Sequence, residues 1–355
     1  MKINPRRAGG TLAVVILATA LSVAGEEGRS VFVLTSTNNA SGNDVVVFQL
    51  NTEGTPSLSL VDMLPTGGNG GASTNAGILQ FAYDLGAVAN HGSNSVTQLL
   101  REENIISIGK TITLGAGCMK PDSVALANEH LYVVGTTCAE SYVWPWGNMD
   151  GMVSLADPTA AQIAAGRSWA AVTLADPMGT GSVLQLGLSQ DGALSGASTD
   201  VSLPANANVV PLGEAFWRDL LGFTPAHSPD SFAILNKSGM VFPVAGPTPS
   251  FPTNAPCWVA KGPGSVWYTG NSPGEAISIF FSDGQGGAFY KSIPLPGPPT
   301  DISVSSDGKL LAVIYTYEGE GYVAVFAIDA YGDLTPVATS SSVGVASFSG
   351  VAFSQ

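Results

Sequence analysis

The chain has 355 residues, 11% of them charged, with 27 acidic against 13 Lys and Arg side chains and a net charge of -14. So acidic a surface excludes nucleic acid and anionic membrane as natural partners, and 45% hydrophobic content excludes a disordered chain. The 43 Gly and 23 Pro suit a turn-rich, all-β protein with a large core.

Lys2, Arg6 and Arg7 precede an apolar run from Leu12 to Leu21 and the small residues Ser22-Val23-Ala24. The run is short for a bilayer span, so residues 1–24 are expected to be a secretory signal peptide, with a retained membrane anchor as the alternative. Cleavage after Ala24 removes three basic residues and no acid, taking the net charge from -14 to -17. The mature chain is expected to be a secreted monomer without a membrane span.

The remainder, 31–355, reads as strands in sets of four. Val31 to Leu34, Asp44 to Leu50 and Leu58 to Leu64 give three strands, with Asn51-Thr52-Glu53-Gly54 as a turn. An innermost fourth is missing. The C-terminal run Ser347 to Phe353 is an apolar strand with nothing after it to pair with, so the two chain ends are expected to close a ring and remove two open sheet edges. Gly67-Gly68-Asn69-Gly70-Gly71 lacks the Gly-Lys-Ser/Thr of a phosphate cradle and reads as an inter-blade loop.

Ile78 to Leu114 gives the second set, with His91-Gly92-Ser93-Asn94 in a loop. The third begins at Lys120-Pro121-Asp122 with the hairpin Val124–Leu126 and Leu131–Val134. That hairpin brings Cys118 near Cys138, which makes a disulfide between them a candidate. Cys257, without a basic neighbour, reads as a buried thiol.

Asp157-Pro158-Thr159 with Ala160 to Ala165 and Gly166 carries the cap, N-terminal proline and terminal glycine of a short helix, expected as an excursion between blades. Trp169–Leu174 and Ser182–Leu188 belong to the fourth set. Glu214 to Leu221 fits either a helical turn or a distorted inner strand, ahead of the hairpin Phe232–Leu235 and Met240–Phe242. Cys257 to Ile293 gives the sixth set.

The pattern is most regular in the seventh: Ile302 and Val304 alternate with polar residues, Ser306-Asp307-Gly308-Lys309 turns, and Leu310–Tyr315, Tyr322–Ile328 and Leu334–Ala338 follow. The 325 residues from Val31 divide into about 46 per set, which predicts a seven-bladed β-propeller of four-stranded antiparallel blades.

Together with Asn51-Thr52-Glu53-Gly54 and the Gly67–Gly71 loop, the stretches Ala89-Asn90-His91-Gly92-Ser93-Asn94-Ser95-Val96 and Ala255-Pro256-Cys257-Trp258-Val259-Ala260 carry a resemblance. The chain resembles secreted fungal 3-carboxymuconate cyclase-like proteins of the seven-bladed lactonase-like propellers. That resemblance implies muconate cycloisomerisation or sugar-lactone hydrolysis, but its motifs are turn features without catalytic specificity.

Propeller topology places the loops before innermost strands, and those between second and third strands, on one face. There it nominates His91, Asp122 and Asp301 as candidate proton-moving groups, and Lys120 and Arg218 as candidate cations for a carboxylate or oxyanion. Arg218 qualifies only if Phe216-Trp217 is an inner strand, and Glu318 and Glu320 share the nominated face. Each aspartate has the plainer reading of a turn cap, His91 that of a solvated loop residue, and His130 and His227 read as turn and loop surface. Asp230 precedes a second strand rather than an innermost one and is not nominated. No serine-hydrolase elbow, zinc-protease helix motif or Cys-x-x-Cys is present, and no cofactor or metal is expected. Asn39-Ala40-Ser41 and Asn236-Lys237-Ser238 match the N-glycosylation pattern.

Two functions of different class follow. One is a binding or surface module with its ligand face at the channel mouth, favoured by the scarcity of His, Arg and Lys. The alternative is a lactonase or muconate-type cycloisomerase.

Overall fold

A computed structural model of the chain describes residues 29–72, 76–145, 147–156, 158–176, 181–203, 210–226, 231–245 and 255–355. The expected signal peptide, Asp157, His227 and Asp230 lie outside them. The described strands form seven four-stranded antiparallel sheets around one axis.

Blade 1 contains β1 (Val31–Ser36), β2 (Asp44–Asn51) and β3 (Ser57–Pro65). Blade 2 contains β4 (Leu79–Ala82), β5 (Leu85–Asn90), β6 (Ser95–Glu102) and β7 (Ile105–Thr113). Blade 3 has β8 (Ser123–Ala127), β9 (His130–Val134), β10 (Cys138–Val143) and β11 (Asn148–Ser154). Blade 4 has β12 (Ala160–Ala165), β13 (Trp169–Leu174), β14 (Ser182–Leu188) and β15 (Leu194–Ser202). Blade 5 has β16 (Val210–Trp217), β17 (Leu220–Ala226), β18 (Ser231–Asn236) and β19 (Val241–Ala245). Blade 6 has β20 (Pro256–Lys261), β21 (Val266–Asn271), β22 (Ala276–Ser282) and β23 (Gly287–Pro294). Blade 7 has β24 (Pro299–Val304), β25 (Leu310–Tyr317), β26 (Glu320–Ile328) and β27 (Leu334–Thr339).

The innermost strand of blade 1 is β28 (Ser349–Ser354), which pairs with β1 through Val33 with Phe353 and Leu34 with Ala352. The chain ends therefore close the ring. Thr35 Oγ1 donates to Gly350 O at 2.7 Å inside the seam, and Thr300 Oγ1 reaches Phe348 O at 2.9 Å from blade 7. Gly350 has φ +73°, and a Cβ there would lie 2.6 Å from Leu79 N, so the seam tolerates only glycine at this point.

The middle strands are buried on both faces, which is why they read as continuous apolar runs. Side chains alternate by two along a strand, so Val45 and Val47 of β2 pack towards blade 2, against Ile78 and Val88. Val46 and Phe48 pack towards blade 7, against Leu310 and Ile314. Each such fully buried side chain contributes about 1.5–3 kcal/mol, and the inter-blade layers together form the core.

The helix expected over Asp157–Gly166 is not formed in the described residues. Ala160–Ala165 is instead β12, the innermost strand of blade 4, paired with β13. Small side chains fit the crowded channel wall, and tertiary packing there overrides helix propensity. Glu214 likewise lies in an inner strand, β16.

Candidate functional site

Three of the five candidate residues meet on one face, where second-strand loops and incoming innermost strands converge. His91 opens a single 3₁₀ turn, His91–Ser93, between β5 and β6, and Asn94 ends it in the left-handed region at φ 50°. The glycine-rich segment 67–71 holds this turn from outside. The Gly92 N–H donates to Asn69 O at 2.9 Å, and Asn69 N–H donates to Ser93 Oγ at 2.7 Å. A Cβ on Gly92 would stand 2.8 Å from Gly70 O, so this close approach requires glycine. Gly70 and Gly71 in turn donate to Asn39 O and Asn38 O, each at 2.8 Å.

Beneath the turn, a buried amide and hydroxyl network fixes blades 1 and 2 against each other. Asn43 Nδ2 and Thr66 Oγ1 donate to Asn90 Oδ1 at 3.1 and 2.8 Å, and Asn90 Nδ2 donates to Thr97 Oγ1 at 2.8 Å. Saturated in this way, Asn90 holds the residue that follows it in sequence, His91.

His91 Nδ1 lies 2.9 Å from Asp122 Oδ1, across the boundary between blades 2 and 3. The contact is close but off the axis of a linear hydrogen bond. Asp122 is buried, and its backbone N–H is anchored to Val134 O at 2.8 Å. Lys120 is exposed beside the turn, with its backbone N–H donating to Asn94 Oδ1 at 2.8 Å. A carboxylate on Nδ1 leaves Nε2 as the ring nitrogen able to exchange a proton with a ligand.

Asp301 is placed elsewhere, in the channel wall. Its Oδ1 accepts from Ile302 N at 2.8 Å, and its Oδ2 accepts from Val351 N and Gly77 N at 3.2 and 3.4 Å. Burial nevertheless pushes its carboxyl up to about 7, against those amide donors. Gly77, Ser123, Gln162 and Glu214 continue this polar belt. Ser123 Oγ donates to Gly77 O at 3.3 Å, and Gln162 exchanges two hydrogen bonds with the Glu214 backbone at 2.8 and 3.0 Å.

The belt roofs a cavity of about 240 Å³ that extends along the innermost strands past Ile163, Phe216 and Val259 to Lys261 and Val304. Glu214 is the member that sequence reasoning missed. Both Glu214 and Asp301 directly follow the bulge that opens an innermost strand, so the signal lay in the register with the second strand. Burial raises the Glu214 carboxyl well above its ordinary range.

Arg218 does not join the His91 cluster. Phe216-Trp217 does belong to an inner strand, but Arg218 follows it in the turn to β17, at the opposite end of the channel, 5.0 Å from the Trp217 ring. Nearby, Lys261 Nζ donates to Gly262, Gly264 and Val266 carbonyls at 2.5, 2.7 and 3.1 Å, and burial lowers its ammonium to about 8. Glu318 is exposed in the β25–β26 turn.

His130 departs from its expected place on a turn surface. It is 5% exposed, stacked on Tyr132, with Nε2 2.7 Å from Asp150 Oδ2 and Nδ1 2.7 Å from Asn128 O. The tight turn at Asn128-Glu129 folds its ring inward against β11, where Ser141 Oγ also donates to Asp150.

Cys118 and Cys138 form a disulfide, and Cys257 is a buried thiol raised to about 11 by burial. Among the described residues, Cys118, Cys138 and Glu140 are the one group of three potential metal ligands close together. A disulfide offers no thiolate, and Glu140 already accepts from Gly115 N at 3.1 Å and from the Tyr142 hydroxyl, so this group does not fit a metal. Asn39 is exposed and Asn236 half-buried, and each side-chain oxygen accepts from the serine two residues on. No helix among the described residues is long and apolar enough to cross a membrane.

No protein-family description and no curated protein sequence matches the chain. Solved structures do. A functionally unknown protein from Desulfotomaculum acetoxidans is 13% identical with a TM-score of 0.67, over 92% of this chain and 99% of that one. A Bacteroides fragilis protein described as a putative 6-phosphogluconolactonase is 13% identical with a TM-score of 0.64, over 94% and 100%. A streptogramin B lyase is 15% identical with a TM-score of 0.60, over 79% and 87%. At such identities the likeness establishes the fold, a seven-bladed β-propeller, and leaves chemistry to be argued from the residues.

Proposed function

We propose that the protein is a secreted propeller that binds a small molecule at the channel mouth, on the face carrying His91, Asp122 and Lys120. The observation that carries this reading is the approach of His91 Nδ1 to Asp122 Oδ1 at 2.9 Å from two different blades, on a turn that the 67–71 loop holds in place. A partly open imidazole, a buried carboxylate and a neighbouring lysine on one face give a ligand one proton-exchanging group and one cation. The Cys118–Cys138 disulfide supports an oxidising, extracellular setting.

The alternative, opening or closing of a lactone ring, is favoured by the same dyad. Asp122 orients the ring, Nε2 takes or gives the proton, and Lys120 stands beside the turn to meet a carboxylate or oxyanion. A fold neighbour described as a putative 6-phosphogluconolactonase adds support by analogy. The test incubates purified protein with a panel of γ- and δ-lactones and 3-carboxymuconate, following both turnover and thermal stabilisation, beside His91→Ala and Asp122→Asn. Stabilisation that both variants lose supports the binding site, and turnover lost with it supports the lactone chemistry. Ligand effects identical in wild type and His91→Ala contradict both.

A further inference from the structure

The cavity beneath the belt contains an acid that the channel-mouth reading leaves unused. Four acidic side chains are buried among the described residues: Asp301 accepts from three backbone amides, Glu140 from Gly115 and Tyr142, and Asp122 makes a 2.9 Å ion-pair contact with His91. Glu214 is 2% exposed, and its carboxyl oxygens make no hydrogen bond of ordinary geometry, the Ala164 backbone being the one protein donor group near them. Gln162 does not relieve it, because its side-chain amide bonds to the Glu214 backbone and makes no hydrogen bond to the carboxyl group. A buried acceptor left unmet is costly, so its presence in the cavity wall points to a ligand that donates.

The chemistry of that ligand follows from what surrounds the acid. Hard metal ions draw on six or more oxygen ligands, often from several carboxylates, and no group of three acids gathers in the cavity among the described residues. Two carboxyl groups in one cavity of about 240 Å³, with the Phe216 ring in the wall, match a group with one positive charge and several N–H donors. We propose that the channel cavity binds a small organic ammonium ion, with Glu214 as its main acceptor and Asp301 as the second.

Three titratable groups face this cavity: Glu214, Asp301 and Lys261. The first two must lose protons to pair with a cation. Lys261 has committed its donors to three carbonyls and acts on the ligand only through repulsion, which falls as it deprotonates. All three effects make binding tighten as pH rises. The site shares no residue with the His91, Asp122 and Lys120 cluster, so its fate is independent of the channel-mouth reading.

The test is calorimetric titration with n-butylammonium chloride at matched ionic strength, beside n-butanol and calcium chloride, on wild type and the near-isosteric Glu214→Gln. The expected result is binding of n-butylammonium that tightens from about pH 6 to about pH 8 and weakens at least about tenfold in Glu214→Gln, with no binding of n-butanol. No binding to wild type, equal binding to both proteins, or Glu214-dependent binding of calcium without n-butylammonium would each overturn the proposal. Should Glu214→Gln fail to fold, Asp301→Asn and the pH dependence in wild type carry the same decision, a pH-independent affinity being the contrary result.

Discussion

Arg101 Nη1 donates to Ser354 Oγ at 3.0 Å, joining the third strand of blade 2 to the last strand of the chain. The same guanidinium donates to Ser30 O at 2.6 Å, next to the first strand, and lies 5.2 Å from the Phe32 ring. One buried arginine therefore holds both ends of the chain where they close the ring. Arg101→Ala leaves Ser30 O without its donor and opens a void, and is expected to cost about 2–4 kcal/mol. Urea unfolding measures this directly, and Arg101→Lys should recover only part of the loss because a point charge cannot reach both partners.

The channel acids make stability depend on pH in an unusual direction. Asp301, held at about 7 in the fold against an ordinary 3.8, binds its proton more tightly when folded. Its contribution is therefore fully present below pH 3.8 and is lost as pH rises towards 7, at up to about 1.4 kcal/mol per pH unit. Glu214 acts with the same sign from its ordinary 4.5 upwards. The stability of Glu214→Gln relative to wild type should therefore improve steadily as pH rises from 4.5 towards neutrality, read from denaturation midpoints across that range.

The Cys118–Cys138 bridge closes a loop with a sequence separation of 20 and fastens the segment leading to Lys120 and Asp122. Loop-closure entropy assigns it about 3 kcal/mol. Reduction, or a Cys118→Ser and Cys138→Ser double variant, should lower the melting temperature by several degrees. It should also weaken whatever binds at the channel mouth, since Lys120 is carried on that segment.

Gly92→Ala tests the support of His91. Its methyl group would collide with Gly70 O, pushing the 3₁₀ turn away from the 67–71 loop and shifting His91 from Asp122. Global stability should change by only about 1 kcal/mol, while ligand binding or turnover at the channel mouth falls about tenfold or more. A variant with unchanged melting and unchanged binding would detach the loop from the site.

The blades that were plain in the sequence are those whose strands obey one rule along their length. β25 and β26 are buried on both faces and bounded by Asp307-Gly308 and Asp329 to Gly332, so pattern and turn chemistry agree. β12 was hidden because Ala160–Ala165 carries the local signals of a helix, and only its pairing with β13 selects a strand. Glu214 was hidden for a related reason: an acid in Gly213-Glu214-Ala215 carries no periodic signal, and its burial follows from a bulge that appears only once β16 is paired with β17. His91 and Asp122 were legible because propeller topology alone puts their loops on one face. Arg218 shows the limit of that reasoning, since belonging to an inner strand does not say which end of the channel a residue occupies.

The most direct measurement is a crystal structure of the protein with a lactone or muconate ligand that stabilises it in solution. The account predicts ligand density at the channel mouth, with a ligand oxygen within hydrogen-bonding reach of His91 Nε2 and the Asp122 contact to Nδ1 retained. Density confined to the outer strands or to the opposite end of the channel, with His91 untouched, would contradict it.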